Sequence, residues 1–354
     1  MSDFTSTKLS ANKRAAPAKP ERVPCWACGT SVGVSGMSPL DFAVCPNCGE
    51  RVLVPTDLDQ FRLTRFLGQG AMGRVYLAVD QTLNREVAVK VLRRAYFSSP
   101  KMWSQLEKEA KAAGRVMHPR VVQVYRLGKA ENRPYIVMEL VNHPTLETLM
   151  QASPITLDAI RRIAVDVMEG LRAAEATGLV HGDVKPANIL VDERNHAKIA
   201  DFGLARFIHR EQSVERWGTP YYMAPEKARQ EQEDFRSDLY SLGATIFHVM
   251  ADRAPFEGKT GDEVIELALR EPTPYLSDFR KDLPKVFSKI VYKMMEKDPD
   301  DRFSSYDEAI EAVRGGRPIP ETRRGIRSPF WARVRSFLVE SPAESGIDSR
   351  RASR

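Results

Sequence analysis

His181-Gly-Asp-Val-Lys-Pro-Ala-Asn188, followed by Asp201-Phe-Gly203, is the stretch around which this 354-residue chain is organised. The two segments gather two carboxylates, an ammonium and a side-chain amide: Asp183, Asp201, Lys185 and Asn188. A carboxylate can orient a hydroxyl and take its proton. Carboxylate and amide oxygens are hard ligands that suit Mg²⁺. An ammonium neutralises phosphate charge. Phosphoryl transfer runs through a loose transition state and asks for little beyond this positioning and neutralisation. The bland alternative is an ordinary hairpin of residues 187–191 and 197–200 with polar turns, so the decision rests on what surrounds the stretch.

Upstream, residues 61–67 alternate like a strand and run into Leu67-Gly68-Gln69-Gly70-Ala71-Met72-Gly73-Arg74-Val75. A second strand-like run, 76–79, follows. Glycines at such a turn let backbone N–H groups approach phosphates that side chains would block. Alone, the pattern also fits the start of a dinucleotide-binding unit, but there the third glycine opens a helix. Here β-branched and aromatic residues follow it. Glu86-Val-Ala88-Val-Lys90-Val-Leu92 is a buried-strand pattern carrying one ammonium, which requires a partner. The helical stripe Leu106, Ala110, Ala113, Val116 is flanked by Glu109, whose alternative is a solvated helix charge. Strand patterns at 121–128 and 134–140 end in Met138-Glu139-Leu-Val141.

Downstream, residues 157–176 form a long amphipathic pattern leading through Gly178 to the catalytic stretch. Further helical patterns occupy 237–251, 262–270, 284–297 and 306–314, and Gly218-Thr-Pro-Tyr-Tyr-Met-Ala-Pro-Glu226 closes a polar segment that begins at Asp201. Gly258-Lys-Thr260 is not a nucleotide-binding loop of the Walker kind, because Arg253 stands where that loop needs glycine.

In this order and spacing, residues 61–314 resemble a protein kinase of the serine/threonine class that bacteria share with eukaryotes. The resemblance implies an α+β, two-lobed protein-kinase-like fold with a small β-rich N-lobe and a large helical C-lobe. It implies that Asp183 is the base, that Lys185 contacts phosphate, and that Asn188 and Asp201 hold Mg²⁺ (or Mn²⁺). Lys90 would grip the ATP phosphates and pair with Glu109. The glycine segment 67–75 with Ala88, Met138, Glu139, Val141 and Leu190 would enclose ATP, Met138 guarding the back of the pocket unless it is plain core. Asp238 would brace the catalytic loop and Arg302 would pair with Glu226. Lys185 and Thr219 favour serine/threonine acceptors on protein substrates, autophosphorylation included. The departure is Gly182, where the family most often has arginine to bind an activation-segment phosphate; Ser213 is the main hydroxyl that could carry one, but without that arginine regulation is expected from elsewhere, with the ribbon and the basic tail as candidates. An ATP-binding pseudokinase scaffold is the alternative, disfavoured because every phosphate and metal group is present.

All four cysteines lie in Cys25-Trp-Ala-Cys28 and Cys45-Pro-Asn-Cys48, each pair followed by glycine and sixteen residues apart. The two-residue gap lets both thiolates reach one ion, and two pairs complete a tetrahedral structural Zn²⁺ site. Residues 21–54 therefore resemble a zinc ribbon; redox or disulfide pairs are the alternative.

Residues 1–20 have the composition of a disordered segment. An apolar content of 42% and a charged content of 28% describe a globular protein, and the absence of a signal-peptide core or an apolar spanning run gives a cytoplasmic expectation. The net charge of +6 resides mostly in residues 315–354, which carry nine basic and four acidic side chains, whereas residues 1–60 carry six of each. That balance argues against nucleic-acid binding by the ribbon. In the tail, Phe330, Trp331, Val334, Phe337 and Leu338 share one helical face over 329–340, expected to pack back on the kinase domain, or else on a partner or an anionic membrane surface. Oligomeric state has no signal here.

Overall fold

A computed structural model of the chain describes residues 20–70, 72–93, 100–130, 133–202 and 220–315. Ala71, the segment from Gly203 through Ser213 to Thr219, the tail helix and nearly all of the N-terminal 20 residues lie outside the described residues. Two compact units are formed, one of Met1–Gly70 with Arg74–Val91, the other of Ala71–Gly73 with Leu92–Arg354.

In the first unit, β1 (Arg22–Pro24) pairs antiparallel with β2 (Ser31–Gly33), and β3 (Phe42–Val44) with β4 (Arg51–Leu53). Each hairpin carries one cysteine pair on a knuckle of the same design: the Gly29 N–H donates to the Cys25 carbonyl at 2.8 Å and the Gly49 N–H to the Cys45 carbonyl at 3.0 Å. Both glycines have left-handed backbones, φ +73° and +77°, which a side chain would strain. Val32, Val34, Ala43, Val52 and Val54 make a core with Cys25 and Cys45 that is small even for a module of this size.

The short stretch ending near Asp59 reads in the sequence as a linker to the strand at 61–67, but β5 (Thr56–Leu58) pairs antiparallel with the start of β6 (Phe61–Gly70) across a turn at Asp59, whose φ is +51°. Buried Leu58, Phe61 and Leu63 give that pairing an apolar face. Strands β7 (Gly73–Asp80) and β8 (Arg85–Leu92) follow, so that β5, β6, β7 and β8 lie side by side. The ribbon rests on this sheet. Phe42 meets Phe66 of β6 edge-on at 5.4 Å and lies beneath the guanidinium groups of Arg51 and Arg74, at 4.2 and 5.9 Å, while Arg65 covers Trp26 at 5.3 Å.

The second unit begins with α1 (Pro100–Arg115), buried through Leu106, Ala110 and Ala113, and the hairpin β9 (Val124–Ala130) and β10 (Arg133–Met138). The strand expected from residue 121 starts at 124, because Val121 is drawn into an isolated bridge with Ile199. Then come α2 (Leu146–Ala152) and α3 (Leu157–Glu175), each N-capped by a threonine hydroxyl, Thr145 and Thr156. The hairpin β11 (Ile189–Val191) and β12 (Ala197–Ile199) is present together with the catalytic stretch, so the two readings of residues 187–200 describe the same structure.

The remaining helices are α4 (Pro225–Ala228), α5 (Phe235–Ala251), α6 (Gly261–Arg270), α7 (Leu276–Phe279), α8 (Lys285–Met294) and α9 (Tyr306–Arg314). Helix α5 is buried on nearly every side, with Leu239, Tyr240, Leu242, Ile246 and Phe247 at most 1% exposed. It approaches α8 so closely that a Cβ at Gly243 would lie 2.8 Å from Met294 Cβ. Among the described residues no helix is long and apolar enough to cross a membrane.

One ion pair ties α4 into this unit. Arg302 donates to both Glu226 oxygens at 2.7 and 2.8 Å, and Ser237 Oγ donates to Glu226 at 2.7 Å. The Arg302 side chain is 0% exposed and that of Glu226 3%. Burial opposes ionisation of Glu226, but the arginine and these hydrogen bonds outweigh it and hold the carboxyl below its ordinary range. Breaking such a pair strands a charge. Arg302→Ala is expected to cost about 3–5 kcal/mol in chemical denaturation, and Glu226→Leu with Arg302→Met to recover part of it; a loss below about 1 kcal/mol, typical of an exposed pair, would contradict the burial argument.

Candidate active site

The catalytic stretch is held from below by α5. Asp238 accepts the His181 N–H at 2.8 Å and the Gly182 N–H at 2.7 Å. Being 1% exposed, the carboxyl pays desolvation, and burial pushes its pKa up to about 7 against the opposing pull of the two N–H groups and of Lys227. Gly182 sits at φ +73°, so the residue that departs from the family pattern occupies a backbone conformation for which glycine is suited.

His181 links this loop to the segment before Asp201. Its Nδ1 accepts the Asp183 N–H at 3.1 Å, and its Nε2 lies 2.9 Å from the Ala200 carbonyl, which assigns the proton to Nε2. Burial drives its pKa down to about 4. The neutral ring is the form that satisfies both partners. It also meets Phe202 edge-on at 4.5 Å.

Above that floor, Lys185 Nζ is 2.8 Å from Asp183 Oδ2. Asn188 lies in the 3-10 turn Pro186–Asn188, and its Nδ2 donates to the Asp183 carbonyl at 2.8 Å and to Oδ2 at 3.1 Å, directing the amide oxygen elsewhere. Asp201 adopts φ +65°, uncommon for a side-chain-bearing residue and a form of strain that clusters at functional sites. Asp183, Lys185, Asn188 and the turn before Asp201 are thus brought together within one unit. Asp201 and Phe202 line a small cavity with Ala110, Ala113, Ile136 and Met138, so Met138 is at once a core residue and a wall of that cavity. Glu139 pairs with Lys198 of β12 and accepts the Gln123 N–H at 3.2 Å. Val141 and Leu190 are half-buried, and Glu109 accepts from Gln105 at 3.0 Å on its own helix.

The first unit holds Lys90 in the middle of β8, 3% exposed, beside buried Ala88. Gly68 and Gly70 end β6, and a Cβ at either would meet nothing within 4 Å, so the backbone at these two glycines is approachable; Gly73 begins β7. Arg74 donates to Gln69 at 3.2 Å across the turn. Leu67 is exposed, Met72 buried and Val75 half-buried.

In the ribbon, Cys25 and Cys48 sulfurs are 3.6 Å apart, as are those of Cys28 and Cys45, and all four lie within 4.8 Å of one another. These separations are far too long for a disulfide, about 2.05 Å. They match the edge of a tetrahedron of thiolates around Zn²⁺, about 3.8 Å for Zn–S bonds of about 2.3 Å. The donor set therefore fits the metal.

Two contributors escaped the sequence reading. Asp166 on α3, its side chain 6% exposed, accepts from the Ala197 N–H at 2.9 Å and contacts Arg120 Nε and His196 Nδ1 at 3.0 Å each, fixing the β11–β12 hairpin. A carboxylate inside the apolar run 163–168 was the available signal. Lys227 of α4 donates to the Gly182 carbonyl, a contact for which the sequence holds no signal.

The sequence pattern of the family described as "Protein kinase domain" matches residues 61–313. The chain is 35% identical over 276 residues to a probable serine/threonine-protein kinase SCO3848 of Streptomyces coelicolor, covering 74% of this chain and 41% of the relative. It is 35% identical to serine/threonine-protein kinase PknB of Mycobacterium tuberculosis, covering 73% and 44%, and 32% identical to PrkC of Bacillus subtilis, covering 70% and 39%. It thus spans less than half the length of these curated relatives. Among solved structures, the kinase domain of Mycobacterium tuberculosis PknI superposes with a TM-score of 0.61 at 27% identity, covering 74% of this chain and 98% of that one. With the catalytic loop, the buried Glu226–Arg302 pair and the family pattern spanning both units, the chain belongs to the protein kinase family, as a member similar to the serine/threonine kinases of bacteria.

Proposed function

We propose that the protein transfers the γ-phosphoryl group of ATP to serine or threonine hydroxyls of protein substrates, its own chain included. The observation that carries the reading is the cluster of Asp183, Lys185 and Asn188, with Lys185 at 2.8 Å and Asn188 at 3.1 Å from the same Asp183 oxygen. Asp183 Oδ1 is left to orient the acceptor hydroxyl and receive its proton. Lys185 would neutralise charge on the transferring group. Mg²⁺, when bound, supplies charge neutralisation at the phosphates; Asn188 Oδ1 and the Asp201 carboxylate are the oxygens that would hold it. The backbone at Gly68, Gly70 and Gly73 would contact phosphates, and Lys90 the α- and β-phosphates, with Glu109 as its orienting carboxylate. A pseudokinase scaffold would usually have lost one of these groups, and all are present.

The ribbon is assigned one structural Zn²⁺ on Cys25, Cys28, Cys45 and Cys48. Four thiols poised for metal rather than for disulfides support a reducing, cytoplasmic setting. For the tail at 329–340 the proposal stays the sequence-based one, an amphipathic helix with the kinase domain, a partner protein or an anionic membrane surface as its contact.

With Mg²⁺-ATP and a generic basic protein, the wild type is expected to incorporate phosphate on Ser or Thr. Asp183→Asn should lower kcat by about 10²–10⁴-fold without a change in thermal melt, and Lys90→Met should also abolish most turnover. ATP binding without transfer under Mg²⁺ or Mn²⁺ would favour the scaffold instead.

Metal analysis of reduced protein should give one zinc per chain, lost in Cys25→Ser and Cys48→Ser. Because metal binding supplies much of the folding free energy of so small a module, chelation should expose residues 20–54 to protease before the rest. Zinc-free protein with a protease-resistant ribbon would refute the assignment.

A further inference from the structure

Gly182 has no side chain to anchor it, yet both of its peptide groups are fixed. Its N–H is taken by Asp238 of α5 at 2.7 Å, and its carbonyl by the ammonium of Lys227 on α4. The Lys227 side chain is only 10% exposed and lies 3.7 Å from Glu233, whose side chain is 14% exposed. Lys227 directly follows Glu226, so its backbone is held in place by the buried pair with Arg302. A lysine so placed is not a solvated surface charge. Its three donors meet a backbone carbonyl of the catalytic loop and a carboxylate, in a pocket where such bonds are strong.

We propose that Lys227 is a positioning residue for the phosphoryl-transfer reaction: its ammonium clamps the carbonyl of Gly182, one residue before Asp183, and supplies from α4 the cation that position 182 lacks. This inference rests on the kinase reading above. The clamp is part of the fold, so the catalytic loop is held without a phosphate on the protein.

The electrostatics have a second consequence. The groups facing Asp238 are the N–H groups of His181 and Gly182, Lys227 from α4, Glu233 from the segment before α5, and Tyr306 from α9. Lys227 is the cation among them. Removing it leaves the Asp238 carboxyl opposed by burial and Glu233, which favours its protonated form and weakens its hold on the two N–H groups at a higher pH than in the wild type.

The test uses the full chain after phosphatase treatment, with Mg²⁺-ATP and a basic protein acceptor, comparing wild type with Lys227→Met, Lys227→Gln and Lys227→Arg. Expected for Lys227→Met are a kcat lowered at least ~10-fold with KM for ATP within about two-fold, as for an interaction that acts on the chemical step. The acid limb of its pH profile should move up by about one unit, and amide exchange in residues 179–184 should quicken. Arginine should restore both rate and profile; glutamine, a donor without charge, should leave the acid limb shifted. The proposal is overturned if Lys227→Met keeps the wild-type kcat and profile, or if it loses rate with unchanged profile and unchanged exchange at 179–184. Should Lys227→Met fail to fold, exchange in Lys227→Gln decides, faster supporting the clamp and wild-type exchange refuting it. If the wild type itself transfers no phosphate, the kinase reading fails, while the exchange comparison still decides the role of Lys227.

Discussion

The candidate active site of this protein depends on one buried carboxylate. Asp238 gives up hydration to sit inside the larger unit, a penalty of several kcal/mol for an ion without compensation, and two short hydrogen bonds from the His181 and Gly182 amides offset it. The arrangement works because its platform cannot move: α5 is packed on nearly every side, and at Gly243 it leaves no room for even a methyl group against α8. A rigid helix thereby fixes two consecutive peptide groups, and Asp183 follows directly.

From there the constraint passes along a chain of neutral and charged contacts. His181 carries it from the Asp183 amide to the Ala200 carbonyl, next to strained Asp201, and burial keeps the ring neutral at physiological pH so that one nitrogen accepts while the other donates. Asp166 does the equivalent for the hairpin between the two catalytic segments. Glu226 and Arg302 fasten the far side. Each of these groups is polar and buried, and each is fully occupied with partners, the condition under which a polar network specifies one geometry rather than weakening the core.

Much of this was legible in the sequence because residue types at unusual density carry chemistry that plain packing does not require. The catalytic stretch, the ammonium in β8, the glycine turn and the cysteine pairs were all readable from spacing, and the long helices from periodicity. What was not legible shares a physical cause. Strand β5 is three residues long, too short for a periodicity, and exists only because β6 offers it an edge. The true start of β9 depends on Val121 pairing with Ile199, 78 positions away. Gly182 suggested the loss of a cation, whereas its φ of +73° shows a backbone role that composition cannot reveal. Lys227 carries no signal in the sequence, and only the fold brings it to a carbonyl 45 residues distant.

The seating of the ribbon on β6 has a mechanical meaning. Phe42 is gripped by Phe66 and Arg74, residues on either side of the glycine turn, one on the strand that enters it and one on the strand that leaves it. The two strands that frame the turn are therefore braced against a common post. Any displacement that spreads or twists them must also move an aromatic ring whose strand belongs to a separate, cysteine-based core. The spacing of these two strands is thus a property of the ribbon as much as of the sheet.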